Sequence, residues 1–442
     1  MNQNLRAPLL LAAMALLLVA EATMPKSAVF SGSWDTSLGI LNIGLISAVM
    51  ALGVNMQWGY AGLFNSGVVG FVAIGGLAPV LVAMPANPGA FSAGGAGLIL
   101  AFAAIAATVL VAVMVNRSAS LRVRLVAMPL ILIGGFLLYR AIFEPAASAI
   151  EAVNTAAAGN LGGLGLPVVL AWPVGALFAA GAAWVVGKTA LGLRSDYLAI
   201  ATLGIGEIIV SVLRNEEWLA RGVLNVNGIP RPWPVPNPID LQSSTSFVER
   251  AAQIGLDPIS ASTMTVKLLY STLFLIVLLL LIWLAQKALG SPWGRMMRAI
   301  RDNETAAAAM GKNITRRHLQ VFIIGSAVCG LAGAMLITHD GQMTPGSYNP
   351  LRYTFLVWVM VIVGGSGNNW GSVLGAMLIW YLYTKAESWG PELMRFVTQG
   401  MEDGSGLKKH LLASAEQMRL LTMGLILLLV LRFSPRGLIP ER

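Results

Sequence analysis

The chain has 442 residues, 56% of them hydrophobic and 11% charged, with a mean hydropathy of +0.73 and a formal net charge of +9. Soluble domains carry about 25% charged residues, so this composition excludes a water-facing globular surface and describes a polytopic membrane protein. The basic residues sit in short segments between apolar runs, which orients a membrane protein and excludes a nucleic-acid groove.

Apolar runs near the length that a bilayer demands of a helix recur along the chain. They predict an all-α protein of about twelve spans, near 8–24, 37–57, 66–84, 97–115, 123–143, 166–187, 196–213, 266–289, 318–338, 353–366, 370–386 and 417–433. The tenth and eleventh are short and separated only by "GGSGNN", so they form either two spans or a re-entrant pair. With both termini cytoplasmic, more than half of the 29 Lys and Arg fall on that side against few acids, as the positive-inside rule favours. The first span also fits a signal peptide, with Arg6 before it and "AEA" (Ala20–Ala22) at its end. Retention is the reading that keeps an even span count.

After the second span comes "WGYAGLFNSGVVGFVAIGG", with Gly59, Gly62, Gly67 and Gly75. A matching glycine-rich stretch near the tenth and eleventh spans carries Gly364, Gly365, Gly371 and Gly375. Such glycines either interrupt helices, exposing backbone near Asn55, Gln57, Asn65, Asn368 and Asn369, or let helices pack closely. Broken helices can line a route for a small polar solute. Met56, Trp58 and Phe64 are candidates for its apolar walls.

"AAWVVGKT" (Ala182–Thr189) fits a loose phosphate-loop pattern, but it follows an uncharged apolar run and reads as the end of a helix. Glu207 is a carboxylate well inside a span, where it is expensive unless it faces the bundle interior, water or a partner. It either pins two helices through a hydrogen bond or serves a solute pathway. The single Cys329 excludes an internal disulfide, and His318, His339 and His410 are too scattered for a metal site.

The segment 214–265 is long and rich in proline ("IPRPWPVPNP"). Beyond the 266–289 span, the loop 290–317 starts with Ser291, a capping residue, and Pro292, which suits a first helical position. A helix to a stop at Gly311 puts Trp293, Met297, Ile300, Glu304 and Ala307 on one face. Periodicity alone also allows a helix lying on membrane lipids.

The "ETAAAAMG" of this loop resembles the Glu-x-Ala-Ala-x-x-x-Gly coupling loop of ABC importer permeases through Glu304, Ala306, Ala307 and Gly311. "LRSDYLAIATLGIGEII" (Leu193–Ile209) is similar to the "GDYLAIVTLGFGEI" of permeases that import branched-chain amino acids. The 58–76 stretch, "GGSGNNWGSVLGA" (Gly364–Ala376) and "FSPRGLIP" (Phe433–Pro440) resemble the same family in the same order. Three departures stand out: Asn65 and Val68 replace the usual residues, Ser372 interrupts a Gly-Pro-Val-Leu-Gly, and "LNVNGIP" (Leu224–Pro230) is reduced.

The resemblance implies one permease domain over 1–442 with a type II-like fold, a core of about ten spans plus two inserted at 97–143. In that scheme 8–84 and 166–213 hold spans, 214–265 is periplasmic, 290–317 is the cytoplasmic coupling loop, and 318–433 holds the C-terminal spans. It implies import of leucine, isoleucine and valine across the bacterial inner membrane. Two cytoplasmic ABC ATPase subunits would dock on Arg298, Glu304, Ala306, Ala307 and Gly311. A second homologous permease subunit and a periplasmic solute-binding protein complete the set. No cofactor or catalytic site is expected in this chain, because ATP is bound by the partners. Urea and short-amide permeases share much of the pattern. An ion-coupled secondary transporter is the reading from another class, with Glu207 a thin basis for it.

Overall fold

A computed structural model describes residues 3–27, 30–86, 89, 91–118, 120–153, 163–193, 195–215, 225–401 and 405–441. Arg194 and Leu224, which belong to two of the motifs above, lie outside the described residues. The helices are α1 (Gln3–Thr23), α2 (Trp34–Ala61), α3 (Val68–Ala83), α4 (Ala96–Ser118), α5 (Leu121–Val153), α6 (Val168–Ala190) and α7 (Ser195–Asn215). Next come α8 (Pro238–Ser243), α9 (Thr245–Gln253), α10 (Pro258–Gly290), α11 (Pro292–Asp302), α12 (Glu304–Ala309) and α13 (Ile314–Asp340). The chain closes with α14 (Leu356–Gly364), α15 (Asn369–Val397), α16 (Gly406–Ala413) and α17 (Met418–Phe433).

Every predicted span is helical, but the count of twelve membrane crossings is not reached. Among the described residues eight helices are long and apolar enough to cross, or nine if α16 and α17, bent by 70°, make one span. α14 and the π-helical turn Leu351–Phe355 before it cover 351–364. At 1.5 Å per residue that is about 21 Å, short of a hydrocarbon core of about 30 Å. α15 carries Lys385, Glu387, Glu392 and Arg395 in its second half.

α2 and α13 form the centre of the bundle, most of each buried. α2 is apolar all round rather than on one stripe, the pattern of a helix surrounded by other helices. Small residues set how close its neighbours come. A Cβ on Gly75 of α3 would lie 2.0 Å from the Gly330 carbonyl of α13, and one on Gly175 of α6 would lie 2.8 Å from the Gly75 carbonyl. Three backbones therefore meet with no side chain between them. α4 and α5 pair around a small core of their own, formed by Ala101, Tyr139, Phe143 and Ala147.

α1 is tied to α15 by a buried ion pair, Glu21 with Lys385 at 2.5 Å, and the Tyr381 hydroxyl donates to the same carboxylate at 3.1 Å. α6 runs unbroken from Val168 to Ala190, so Ala182–Thr189 is helix, not a phosphate-cradling loop. The bundle has two distinct ends. One carries α11, α12, the end of α2, the start of α15 and the C-terminal Glu441. The other carries 225–257 and the end of α13, joined where β1 (Val226–Asn227) pairs antiparallel with β2 (Gln342–Met343).

Candidate functional site: a sealed helix break beside a capped helix pair

α2 stops at Gly62, whose φ of 70° is a left-handed turn that a side chain would strain, and the chain crosses 62–67 before α3 begins. The loop leaves the first N–H groups of α3 without helical partners. Side chains of the loop itself (Asn65), of α7 (Thr202) and of the Leu351–Phe355 turn (Thr354) accept from N–H groups of the loop and of the first turn of α3. Gly67 N–H donates to Asn65 Oδ1 at 2.9 Å, Ser66 N–H to Thr202 Oγ1 at 3.1 Å, and Val69 N–H to Thr354 Oγ1 at 3.1 Å. Trp358 Nε1 donates to the Asn65 carbonyl at 2.9 Å.

Gln57 locks this loop to α13. Its Nε2 donates to the Phe322 carbonyl and to Ser326 Oγ, both at 3.0 Å, and its Oε1 accepts from Asn65 Nδ2 at 2.9 Å. Asn55 locks the second break. Its Oδ1 accepts from Gly367 N–H at 2.7 Å and its Nδ2 donates to Asn369 Oδ1 at 3.2 Å, the oxygen that also accepts from the Tyr60 hydroxyl. Asn368 caps α15 by accepting from Trp370 and Gly371 N–H, and its amide donates to the Pro440 carbonyl at 3.2 Å. Asn55 and Gln57 are fully buried, and Asn65 and Asn369 nearly so. The predicted pathway amides are thus brought together, and each is bonded within the protein.

The predicted helix-break glycines divide into two groups. Gly62, Gly67, Gly364 and Gly365 stand at helix ends, Gly365 with φ 114°. Gly59, Gly75, Gly371 and Gly375 break nothing: they lie inside α2, α3 and α15. Their role is close approach, since a Cβ on Gly375 would meet the Met360 carbonyl at 2.0 Å and one on Gly59 the Gly367 nitrogen at 2.4 Å. Trp58, Phe64 and Trp358 cluster beside the 62–67 loop, with Phe64 stacked on Trp358 at 4.1 Å between ring centroids. Met56 is buried.

The predicted coupling loop lies against the same break. Ser291 caps α11 and Pro292 takes its first position, as expected. The predicted single helix from Ser291 to Gly311 is instead two, because Asn303 turns extended (φ −155°) and its side chain caps α12 by accepting from Ala306 N–H at 2.9 Å. Asparagine competes for backbone bonds in this way, so it starts helices better than it continues them. Gly311 ends the element with φ 75°. Met297 and Ile300 are buried against the bundle. Ala307 is buried too, so it faces this chain and not a docking partner. Glu304 and Ala306 are exposed, and Arg298 is half-buried beside a cavity of about 280 Å³ that Asn368, Asn369 and Glu441 also line.

Arg301, on the polar face of α11, ties the pieces together. Its guanidinium donates to the Gly59 carbonyl near the end of α2 and to Glu441 Oε2 at 2.7 Å. Burial works against the cation, but the bond to Glu441 outweighs it and leaves the Arg301 pKa above its ordinary value. Thr202, Ser326, Thr354, Trp358 and Glu441 are site residues that sequence reasoning missed. The "WGYAG" and "ATLG" motifs held the signal for Tyr60 and Thr202; nothing local marked the others.

Glu207 is exposed on the outer face of α7, with no hydrogen bond or ion pair among the described residues. Among the described residues it pins no two helices. Gly204, Ser211 and Asn215 share that exposed face.

A bundle of close-packed apolar helices, with two backbone breaks sealed by buried amides and a capped helix pair standing at one end, defines a helical transport-type membrane protein. The chain belongs to the family described as "Branched-chain amino acid transport system / permease component", whose profile matches residues 36–431. It is 27% identical over 300 residues to the high-affinity branched-chain amino acid transport system permease protein LivM of Escherichia coli, covering 66% of this chain and 61% of that one. The chain thus spans about three fifths of that relative. It is 24% identical over 403 residues to the probable branched-chain amino acid transport permease protein LivM of Methanocaldococcus jannaschii, covering 89% and 90%. A 114-residue stretch, 25% of this chain and 31% of the relative, is 26% identical to the fructose import permease protein FrcC of Rhizobium meliloti. No solved structure matches the chain.

Proposed function

We propose that the chain is the permease subunit of an ATP-driven importer of leucine, isoleucine and valine in a bacterial inner membrane. Both termini are cytoplasmic, and so is the end that carries α11 and α12. ATPase subunits dock there, a second permease subunit completes the pore, and a solute-binding protein delivers from the other side. The observation that carries this reading is the α11–α12 pair. Its Met297, Ile300 and Ala307 are seated on the bundle while Glu304, Ala306 and Gly311 stay exposed. That arrangement presents a small-residue surface to a partner and transmits force through Arg301 to the end of α2. The Glu207 stripe of α7 supports a second subunit or an aqueous route on that face, since lipid disfavours an unpaired carboxylate.

The test compares two arginine variants. Ala306→Arg lies on the exposed side and should leave the chain in the membrane while ATPase co-purification and leucine uptake are lost. Ala307→Arg should also lower the amount of folded chain, because that side chain points into the protein. Normal ATPase binding and uptake in Ala306→Arg would refute the docking role.

A further inference from the structure

At the end of the bundle opposite α11, an open cavity of about 760 Å³ lies between α10, the end of α13 and the 228–240 segment. Its wall is ordered by the fold. Val226, Ile229 and Val235 belong to the main apolar core, β1 pairs with β2, and Ile229 N–H donates to the Gly341 carbonyl at 3.1 Å. Arg231, Asp240, His339 and Asp340 line the cavity together with Ile229 and Val235.

Among the described residues no ion pair joins Arg231 to Asp240 or Asp340 across this cavity. Arg231 is half-buried, yet among the described residues it makes no ion pair and no hydrogen bond. Among the described residues the Asp340 carboxylate bonds only to its neighbour, His339 Nδ1, at 3.2 Å. A partly desolvated guanidinium without an acceptor is unfavourable and presents donors that match a carboxylate. A ligand that brings an anion and a cation together would satisfy both residues, and Ile229 and Val235 offer apolar wall to an aliphatic side chain. The volume falls in the range of small-molecule sites and leaves room for water.

We propose that this cavity binds a zwitterionic α-amino acid, with Arg231 on the carboxylate and Asp340 on the ammonium group. It is a receiving site on the face where the solute arrives, and it rests on the import reading above for that direction. A solute released there is held by paired charges before it enters the bundle.

The test uses the purified full-length chain in lipid nanodiscs, titrated with three probes by saturation-transfer NMR. These are L-leucine, 3-methylbutylamine (leucine without its carboxylate) and 4-methylpentanoate (leucine without its ammonium). Arg231→Gln should weaken leucine by about tenfold and leave 3-methylbutylamine unchanged. Asp340→Asn should weaken leucine and leave 4-methylpentanoate unchanged. Arg231→Lys should retain most of the leucine binding, which separates charge from fold. Leucine binding that is equal in wild type and both neutral variants overturns the site, as does a wild-type chain that binds none. ATP-driven leucine uptake by the assembled wild-type complex is measured in parallel. Uptake that proceeds while binding ignores Arg231 and Asp340 sinks the site alone. Binding that depends on both residues without uptake upholds the site and sinks the import reading.

Discussion

Replacing Arg301 with methionine keeps much of the side chain's length but removes the charge that joins α11 to α2 and to the C-terminal tail. The Arg301 and Glu441 side chains are 24% and 29% exposed and 2.7 Å apart. Exposed pairs contribute about 0.2–1 kcal/mol, whereas hydrogen bonds to charged groups contribute about 1.5–3 kcal/mol. With most of both groups covered, a coupling of about 1–2 kcal/mol is expected, on the order of tenfold in an equilibrium. Loss of the donor to the Gly59 carbonyl adds about 1 kcal/mol that Glu441 does not share. A double-mutant cycle with Glu441→Gln separates the two. In proteoliposomes holding the whole transporter, Arg301→Met should lower leucine uptake per ATP hydrolysed by about tenfold with ATPase subunits still bound. Glu441→Gln should show a smaller loss, and the double variant little more than Arg301→Met alone. Strictly additive effects, or unchanged uptake per ATP, would refute the link from α11 to α2.

Gln57→Leu should destabilise the chain by about 3 kcal/mol or more, because three buried partners on α13 and the 62–67 loop lose their bonds; an unchanged thermal unfolding midpoint in detergent would sink the clamp. Lys385→Met should cost about 3–5 kcal/mol by leaving the buried Glu21 charge without its cation, and adding Glu21→Leu should restore most of it. Thermal stability of the double variant no better than that of Lys385→Met would count against the ion pair as the tie between α1 and α15.

Helix capping was legible locally and held. Ser291 and Pro292 start α11 and Gly311 closes the element, because these depend on a few adjacent residues. The break at Asn303 was equally local and was overlooked: the periodic face running on to Glu304 and Ala307 masked a capping residue in its middle. Helix count was less legible, because apolar runs mark helices without saying which are long enough to cross. α14 is helical as expected and still too short for a full span.

The sequence by itself determined the class of protein, the family motifs, the positions of the two breaks and the capped loop for which a docking role is proposed. Each is written in composition or in residues close together along the chain. Only the tertiary structure decided which way the polar groups face. Gln57 meets Ser326, Asn55 meets Asn369 and Arg301 meets Glu441 across long stretches of chain, while Glu207 points out of the bundle. The physical reason lies in the helices themselves. In a soluble helix an apolar stripe shows the buried side, but α2 is apolar on every side. The choice of face passes to glycine contacts and paired amides contributed by distant helices, which no local pattern records.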